Sequence, residues 1–372
     1  MLEMKRFLHE LVFYLIPLLV LAAVILFPGF YSREFGFFDK TIDLQRDQRF
    51  GTIGMGYNEQ TPYYKRSNAD YYQADVIALG TSRVMQFKSE FFLTSFYNCG
   101  GAVEGNYSEY RNFLDNLKYD PEVVLIGLDP WVFNDEWNKH YNDYSDLYVP
   151  IKKTERSLPA MIKNMYSDFL EKKWSFRDLN NYPECYGFNG RINGDGYEPD
   201  GSYSYTAFYR DPVISNELRF KDTIDRIDNG VNRFEFGEHI DTDTLRQLDG
   251  FLSYCNEHDI YAVGFSAPFA PTVNHRMVSS GNYEYLSEIP SACAQVFEKY
   301  GFEYYDFTDV SFLGLTDEYY LDGFHGSDIV YATLLEEMVH RNSLLSDYVN
   351  QVHLNHRLET RYNTWIFDEP LV

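Results

Sequence analysis

The chain has 372 residues, enough for one large α/β domain or two ordinary ones, and its 45% apolar content supplies a substantial core. Its formal charge is −24, with 32 Lys and Arg against 56 Asp and Glu. Such a field repels nucleic acid and anionic headgroups, and the bland reading of the charge is a solvated acidic surface.

The first forty residues are neutral, so the excess acid lies downstream. From Leu11 to Phe27 the chain is apolar and uncharged, with Lys5 and Arg6 before it and Pro28-Gly29 after it. That run predicts an uncleaved signal anchor, because no convincing A-x-A site follows. The basic flank puts the N-terminus in the cytoplasm and residues beyond about 30 outside. Pro17 kinks such a helix tolerably. A cleaved signal peptide is the runner-up, and it would still export the rest.

Residues 31–70 are polar, Tyr- and Arg-rich and without periodicity, and they read as a stalk. Then apolar runs alternate with helical patterns. Val76–Leu79 is a short strand ending at Gly80, and Phe96–Asn98 a second, running into Cys99-Gly100-Gly101. Tyr110, Phe113, Leu114 and Leu117 mark a helix face. Val123–Ile126 is a buried-type strand, stopped by Gly127 and Pro130. The interval 135–240 is rich in Tyr, Asn, Gly and Asp and reads as an insertion or lid. Leu245, Leu248, Leu252 and Cys255 mark the next helix, Ile260–Phe265 a strand, and Ser266–Pro271 a loop. Pro290 begins a helix that Gly301 stops, and Tyr304–Phe307 is a further strand. Ser327 caps a last helix carrying Val330, Leu334, Leu335 and Met338. The segment 344–372 is a polar tail. This alternation implies a parallel sheet with helices on both faces.

Cys99, Cys185, Cys255 and Cys293 show no C-x-x-C spacing, which argues against zinc, and pairing among them stays open. No Walker or dinucleotide glycine pattern is present, and no cofactor or metal is expected. Asp241 and Asp243 lack calcium-loop spacing and read as surface. Gly194-Asp195-Gly196 reads as turn chemistry. Among the aromatics, Trp174, Tyr197 and Tyr203 read as local core or as stacking surface for sugar rings. Trp131 and Trp137, just past the third strand, are better placed to face a cleft. His275 reads as a surface histidine with a pocket-lining alternative.

Two blocks carry chemistry. Ala78-Leu-Gly-Thr-Ser-Arg83 puts Ser82 just past the first strand, and Leu321-Asp-Gly-Phe-His-Gly-Ser-Asp328 puts Asp322 three residues before His325. Functional groups gather at the carboxyl ends of strands in a doubly wound sheet. Ser82 is then the candidate nucleophile, His325 the base, and Asp322 the carboxylate that orients it. The Ser82 and Gly100 amides are the expected oxyanion donors, with Gly101 and Gly105 as nearby alternatives.

This arrangement resembles the SGNH (GDSL-like) hydrolase superfamily, in which Ser follows strand one, Gly strand two, Asn strand three, and D-x-x-H lies near the C-terminus. The likeness spans roughly 71–343, interrupted by 135–240. It implies a flavodoxin-like three-layer α/β fold and a Ser82–His325–Asp322 triad. Gly-Thr-Ser-Arg in place of Gly-Asp-Ser resembles membrane-anchored members that accompany multipass membrane O-acyltransferases. That implies acyl-ester hydrolysis or O-acyl transfer on a cell-surface polysaccharide. The third block departs from the pattern, with Asp129 where Asn belongs. An ionised carboxylate repels an oxyanion, so Asp129 is protonated, turned away, or replaced in that task by Asn134 or Arg83. The alternative reading is a weak or inactive subunit that binds glycan or scaffolds an acyltransferase complex.

Overall fold

The computed structural model describes residues 2–36, 38–48, 51–139, 148–154, 156–210 and 215–369. The chain divides into two units. One comprises Met1–Gln60, Lys153–Pro199 and Ser204–Thr206; the other comprises Thr61–Lys152, Asp200–Tyr203 and Ala207–Val372.

In the first unit, an N-terminal helix runs Leu2–Tyr31, and its stretch His9–Tyr31 is long and apolar enough to cross a membrane. Just past it, Glu34 is fully buried. Its carboxylate accepts the backbone amides of Gly56, Tyr57, Asn58 and Phe188 at 2.6–3.1 Å. Phe35, Tyr57, Met161, Met165, Trp174, Leu179 and Phe188 form a small core beside this cage. Residues 31–60, expected to be a stalk, therefore fold with 153–199, which come from the expected insertion. The joining groups are a single carboxylate and amides remote in sequence, which no periodicity announces. Trp174 and Tyr197, weighed as sugar-stacking surface, are buried here.

The second unit holds a five-stranded parallel sheet flanked by helices: β1 (Val76–Leu79), β2 (Phe96–Asn98), β3 (Val123–Leu128), β4 (Tyr261–Ser266) and β5 (Glu303–Tyr305). The order is β2-β1-β3-β4-β5, with Val76 level with both Phe96 and Val123. β1, β2 and β3 are buried along their whole length, which is why β1 and β3 are continuous apolar runs rather than alternating ones, and why Asn98 in β2 stands out. Each fully buried Val, Leu or Ile contributes about 1.5–3 kcal/mol. The winding reverses between β1 and β3, so their carboxyl ends border the crevice where doubly wound sheets carry their sites. Ser82 follows one of these strands and Asp129 the other.

The helices Tyr107–Asp115 and Thr242–Glu257 begin at Asn106 and Asp241, whose side chains accept the amides of Ser108 and Asp243. Asp241 is thus a helix cap. The expected loop after Ser266 is present and leads into a helix that the sequence reading did not mark, Pro271–Ser280, opened by its proline and closed by left-handed Gly281. His275 lies exposed on it, bordering a surface groove. Ser327 precedes the helix Asp328–His340 but donates its hydroxyl to Thr364 O at 3.0 Å instead of capping. The described part of the expected tail belongs to this unit, with a helix at Gln351–Thr360 whose Arg357 pairs with Glu90 and Asp368. All four cysteines are free and buried.

Candidate active site

Ser82 opens a single 3-10 turn, Ser82–Val84, rather than a helix. Thr81 caps it by accepting the Arg83 amide. At the other end of the domain, Leu321–His325 is closed by a bond from the Leu321 amide to His325 O, with Gly323 at φ +78°. A Cβ at Gly323 would sit 2.8 Å from Val273 and 3.0 Å from Phe220, so only glycine fits this turn. The turn aims His325 at Ser82 and places Asp322 behind the imidazole.

Ser82 Oγ lies 2.9 Å from His325 Nε2, and His325 Nδ1 lies 2.8 Å from Asp322 Oδ2. Asp322 Oδ1 accepts the amides of Phe324 and His325 at 3.0 and 2.7 Å. Burial works to raise the Asp322 carboxyl, but the His325 charge and these hydrogen bonds outweigh it and hold the group at about 2. An ionised carboxylate only accepts, so His325 carries its proton on Nδ1. That leaves Nε2 to accept from the Ser82 hydroxyl. Ser82 and His325 are both partly exposed. This is the hydrogen-bond chain of a base-activated serine.

The expected oxyanion donors are placed differently. The Gly100 amide donates to Asn98 Oδ1 at 2.7 Å, and the Gly101 amide to Gly80 O at 2.8 Å. The glycines at the strand ends have a packing reason. A Cβ at Gly80, Gly100 or Gly127 would lie within 3 Å of the Val84 side chain, which seats the turn after Ser82 on the sheet. Asn98 is fully buried and donates to Val84 O and Phe87 O at 2.8 and 3.0 Å, tying the same turn to β2. Among the described residues, the Ser82 amide makes no backbone hydrogen bond outside its own turn. Gly105, at φ +132°, lies against Val132.

Asp129 bonds to Thr81 and Arg83, the neighbours of Ser82, and not to Ser82 itself. Its Oδ1 accepts from Arg83 Nη1 at 3.0 Å and its Oδ2 from Thr81 Oγ1 at 2.7 Å. Both partners of the ion pair are buried, and Arg83 Nη2 also donates to Ala267 O at 2.6 Å. Burial pushes the Asp129 carboxyl up, against the pull of Arg83 and Thr81. The Arg83 guanidinium lies 4.0 Å from the centre of the Phe269 ring and 5.1 Å from that of Phe324. Arg83 and Asp129 thus form a buried brace under the site, and neither points at an oxyanion. Asn134 is committed too: it donates to Glu235 O at 2.5 Å and accepts the Glu136 amide. Trp131 is buried and stacks on Phe324, with ring centres 5.1 Å apart. Trp137 packs partly buried against the core.

No family model and no curated protein matches the chain. Among the described residues, no cluster of His, Cys, Asp or Glu has the makings of a metal site.

Three contributors escaped the sequence reading. Thr81 shares a motif with Ser82, but its bond to Asp129 depends on the β1–β3 adjacency. Asn98 is a polar residue in a buried strand, which was a signal that it ties backbone together. Arg233, on the rim of the site, carries no motif at all.

Proposed function

We propose that the second unit is an SGNH-like, flavodoxin-like acyl-ester domain working through a covalent acyl-Ser82 intermediate. The observation that carries this reading is the unbroken chain Ser82 Oγ–His325 Nε2 and His325 Nδ1–Asp322 Oδ2, at 2.9 and 2.8 Å. Ser82 Oγ attacks the acyl carbonyl while His325 Nε2 takes its proton. His325 then returns that proton to the leaving oxygen. In the second half, His325 deprotonates the acceptor, either water or a sugar hydroxyl, which attacks the acyl carbon and releases Ser82. Asp322 stays ionised and stabilises the imidazolium formed in each half. The Ser82 amide is the donor available to the oxyanion.

An apolar N-terminal helix fits a domain held at a membrane surface, beside a membrane acyl donor such as a multipass O-acyltransferase. The acceptor proposed is a cell-surface polysaccharide, with the domain outside the cytoplasm. The second reading, a glycan-binding or scaffold subunit with little turnover, is favoured by the commitment of the Gly100 and Gly101 amides to Asn98 and Gly80. A fluorophosphonate probe decides between them. Labelling of wild type that is lost in Ser82→Ala supports the enzyme. Folded wild-type protein that resists labelling supports the scaffold.

A further inference from the structure

Trp131 and Phe324 form a stacked aromatic shelf beside the triad, since the Phe324 ring centre is 4.9 Å from that of His325. Two guanidinium groups lie against this shelf. Arg83 is the inner one, neutralised by Asp129. Arg233 is the outer one, 5.2 Å from the Trp131 ring centre and 5.9 Å from that of Phe324. It is partly exposed, and its guanidinium makes no hydrogen bond or ion pair among the described residues. It adds to the positive field on the buried Arg83–Asp129 ion pair, pulling the Asp129 carboxyl down, but its own N–H groups make no direct bond to that carboxylate among the described residues.

The backbone around it is built to hold it there. Asn232 and Arg233 are consecutive left-handed residues, at φ 55° and 78°, a conformation that costs a long L side chain energy. Phe234 is buried, packed edge-on against Phe324 and tilted against Phe269. The Tyr283 hydroxyl lies 2.7 and 2.8 Å from Ile227 O and Phe234 O, clamping both ends of the segment. The Arg233 amide donates to Glu235 Oε1 at 3.4 Å. A strained, clamped turn that presents a guanidinium without a hydrogen-bond partner, next to the aromatic pair that flanks His325, is a recognition device for an oxyanion group.

We infer that Arg233 recognises an anionic group of the substrate, a carboxylate or a phosphate ester close to the scissile acyl bond. This rests on the acyl-ester reading of the site. Trp131 and Phe324 supply the aromatic rings beside which the guanidinium is held, and the acidic surface elsewhere leaves this as the local point of attraction.

The test is equilibrium binding by calorimetry, on full-length protein in detergent carrying Ser82→Ala so that esters stay intact. The probes are O-acetylated methyl glucuronoside, O-acetylated glycerol 3-phosphate and neutral O-acetylated methyl glucoside. At least one anionic ester is expected to bind about tenfold or more tighter than the neutral one. Adding Arg233→Gln is expected to abolish that margin, and Arg233→Lys to retain part of it. Whichever anionic ester shows the margin identifies carboxylate or phosphate as the source. The margin is also expected to shrink with salt. Equal binding of all three esters, or a margin that survives Arg233→Gln, overturns the inference. Failure of the acyl-ester reading shows separately, as wild type that a fluorophosphonate does not label.

Discussion

Asn98 Oδ1 accepts the amide of Gly100 at 2.7 Å, and the same side chain donates to Val84 O and Phe87 O. One buried carboxamide therefore takes the amide that the strand order offers to an oxyanion, and uses it to seat the turn carrying Ser82. Asn98→Ala is expected to lower stability by about 3 kcal/mol or more, because three backbone groups lose their partner away from water. It is also expected to slow Ser82 labelling. Urea unfolding and probe kinetics on the same preparation check both. Unchanged stability would show that Asn98 is not the tie.

Asp322→Asn removes the acceptor that keeps the His325 proton on Nδ1. Labelling of Ser82 is expected to fall by about 10³-fold or more while the fold persists. Because Asp322 is held at about 2, it stays ionised well below neutral pH. A depressed carboxyl contributes stability that is complete above its unfolded value near 3.8 and is lost as pH falls from there through about 2. The stability difference between wild type and Asp322→Asn, followed by circular dichroism, is therefore expected to shrink between about pH 5 and about pH 2.

Asp129→Asn would improve an oxyanion hole if the side chain pointed there. It braces Arg83 instead, so the expected result is a loss of about 3–5 kcal/mol with no gain in labelling rate. The double variant Arg83→Met, Asp129→Leu is expected to recover much of that stability. Thermal unfolding of wild type and the two variants is the measurement. Faster labelling of Asp129→Asn would contradict the brace.

Lys65 is fully buried, donating to Asn98 O at 3.0 Å and to Gly201 O. Burial lowers its ammonium to about 7, against partial opposition from Cys99 and Asp200. Between about 7 and 10.5 the unfolded chain binds the proton more readily than the folded one, so stability rises with pH across that window. Its contribution is complete above 10.5, falls away down to about 7, and is flat below. The urea midpoint of wild type relative to Lys65→Met is expected to increase from pH 7.5 to 9.5. A constant difference would show that Lys65 folds in its charged form.

Glu34→Ala leaves the amides of Gly56, Tyr57, Asn58 and Phe188 without their common acceptor. Proteolysis between residues 51 and 60 is expected to quicken at least tenfold, measured by mass spectrometry on full-length protein in detergent. Cleavage at the wild-type rate would mean that the cage is not what holds this segment.

β1, β3 and β4 were legible as short apolar runs, because burial on both faces leaves a continuous signature in a single segment, while the half-buried edge strand β5 begins at Glu303, one residue earlier than its Tyr304–Phe307 pattern. The Ser82 and D-x-x-H blocks were legible for a related reason: each is a compact turn whose glycine and polar spacing are local. The apolar N-terminal helix was equally plain, since length and lack of charge are properties of one stretch. What the strand ends do could not be read in this way. Gly100 and Gly101 were expected to face an oxyanion, yet their amides bond to Asn98 and Gly80, and Gly100 carries no side chain because Val84 occupies the space. Asp129 looked like a misplaced catalytic group, and only the adjacency of β1 and β3 makes it the partner of Arg83 and Thr81. Glu34 and Arg233 are single polar residues whose meaning lies wholly in groups distant along the chain. The sequence determined the sheet, the membrane-length helix and the candidate nucleophile with its base, because those depend on local pattern. Tertiary structure decided which amides and charges remain unspent, because hydrogen-bond partners are assigned across the fold and not along it.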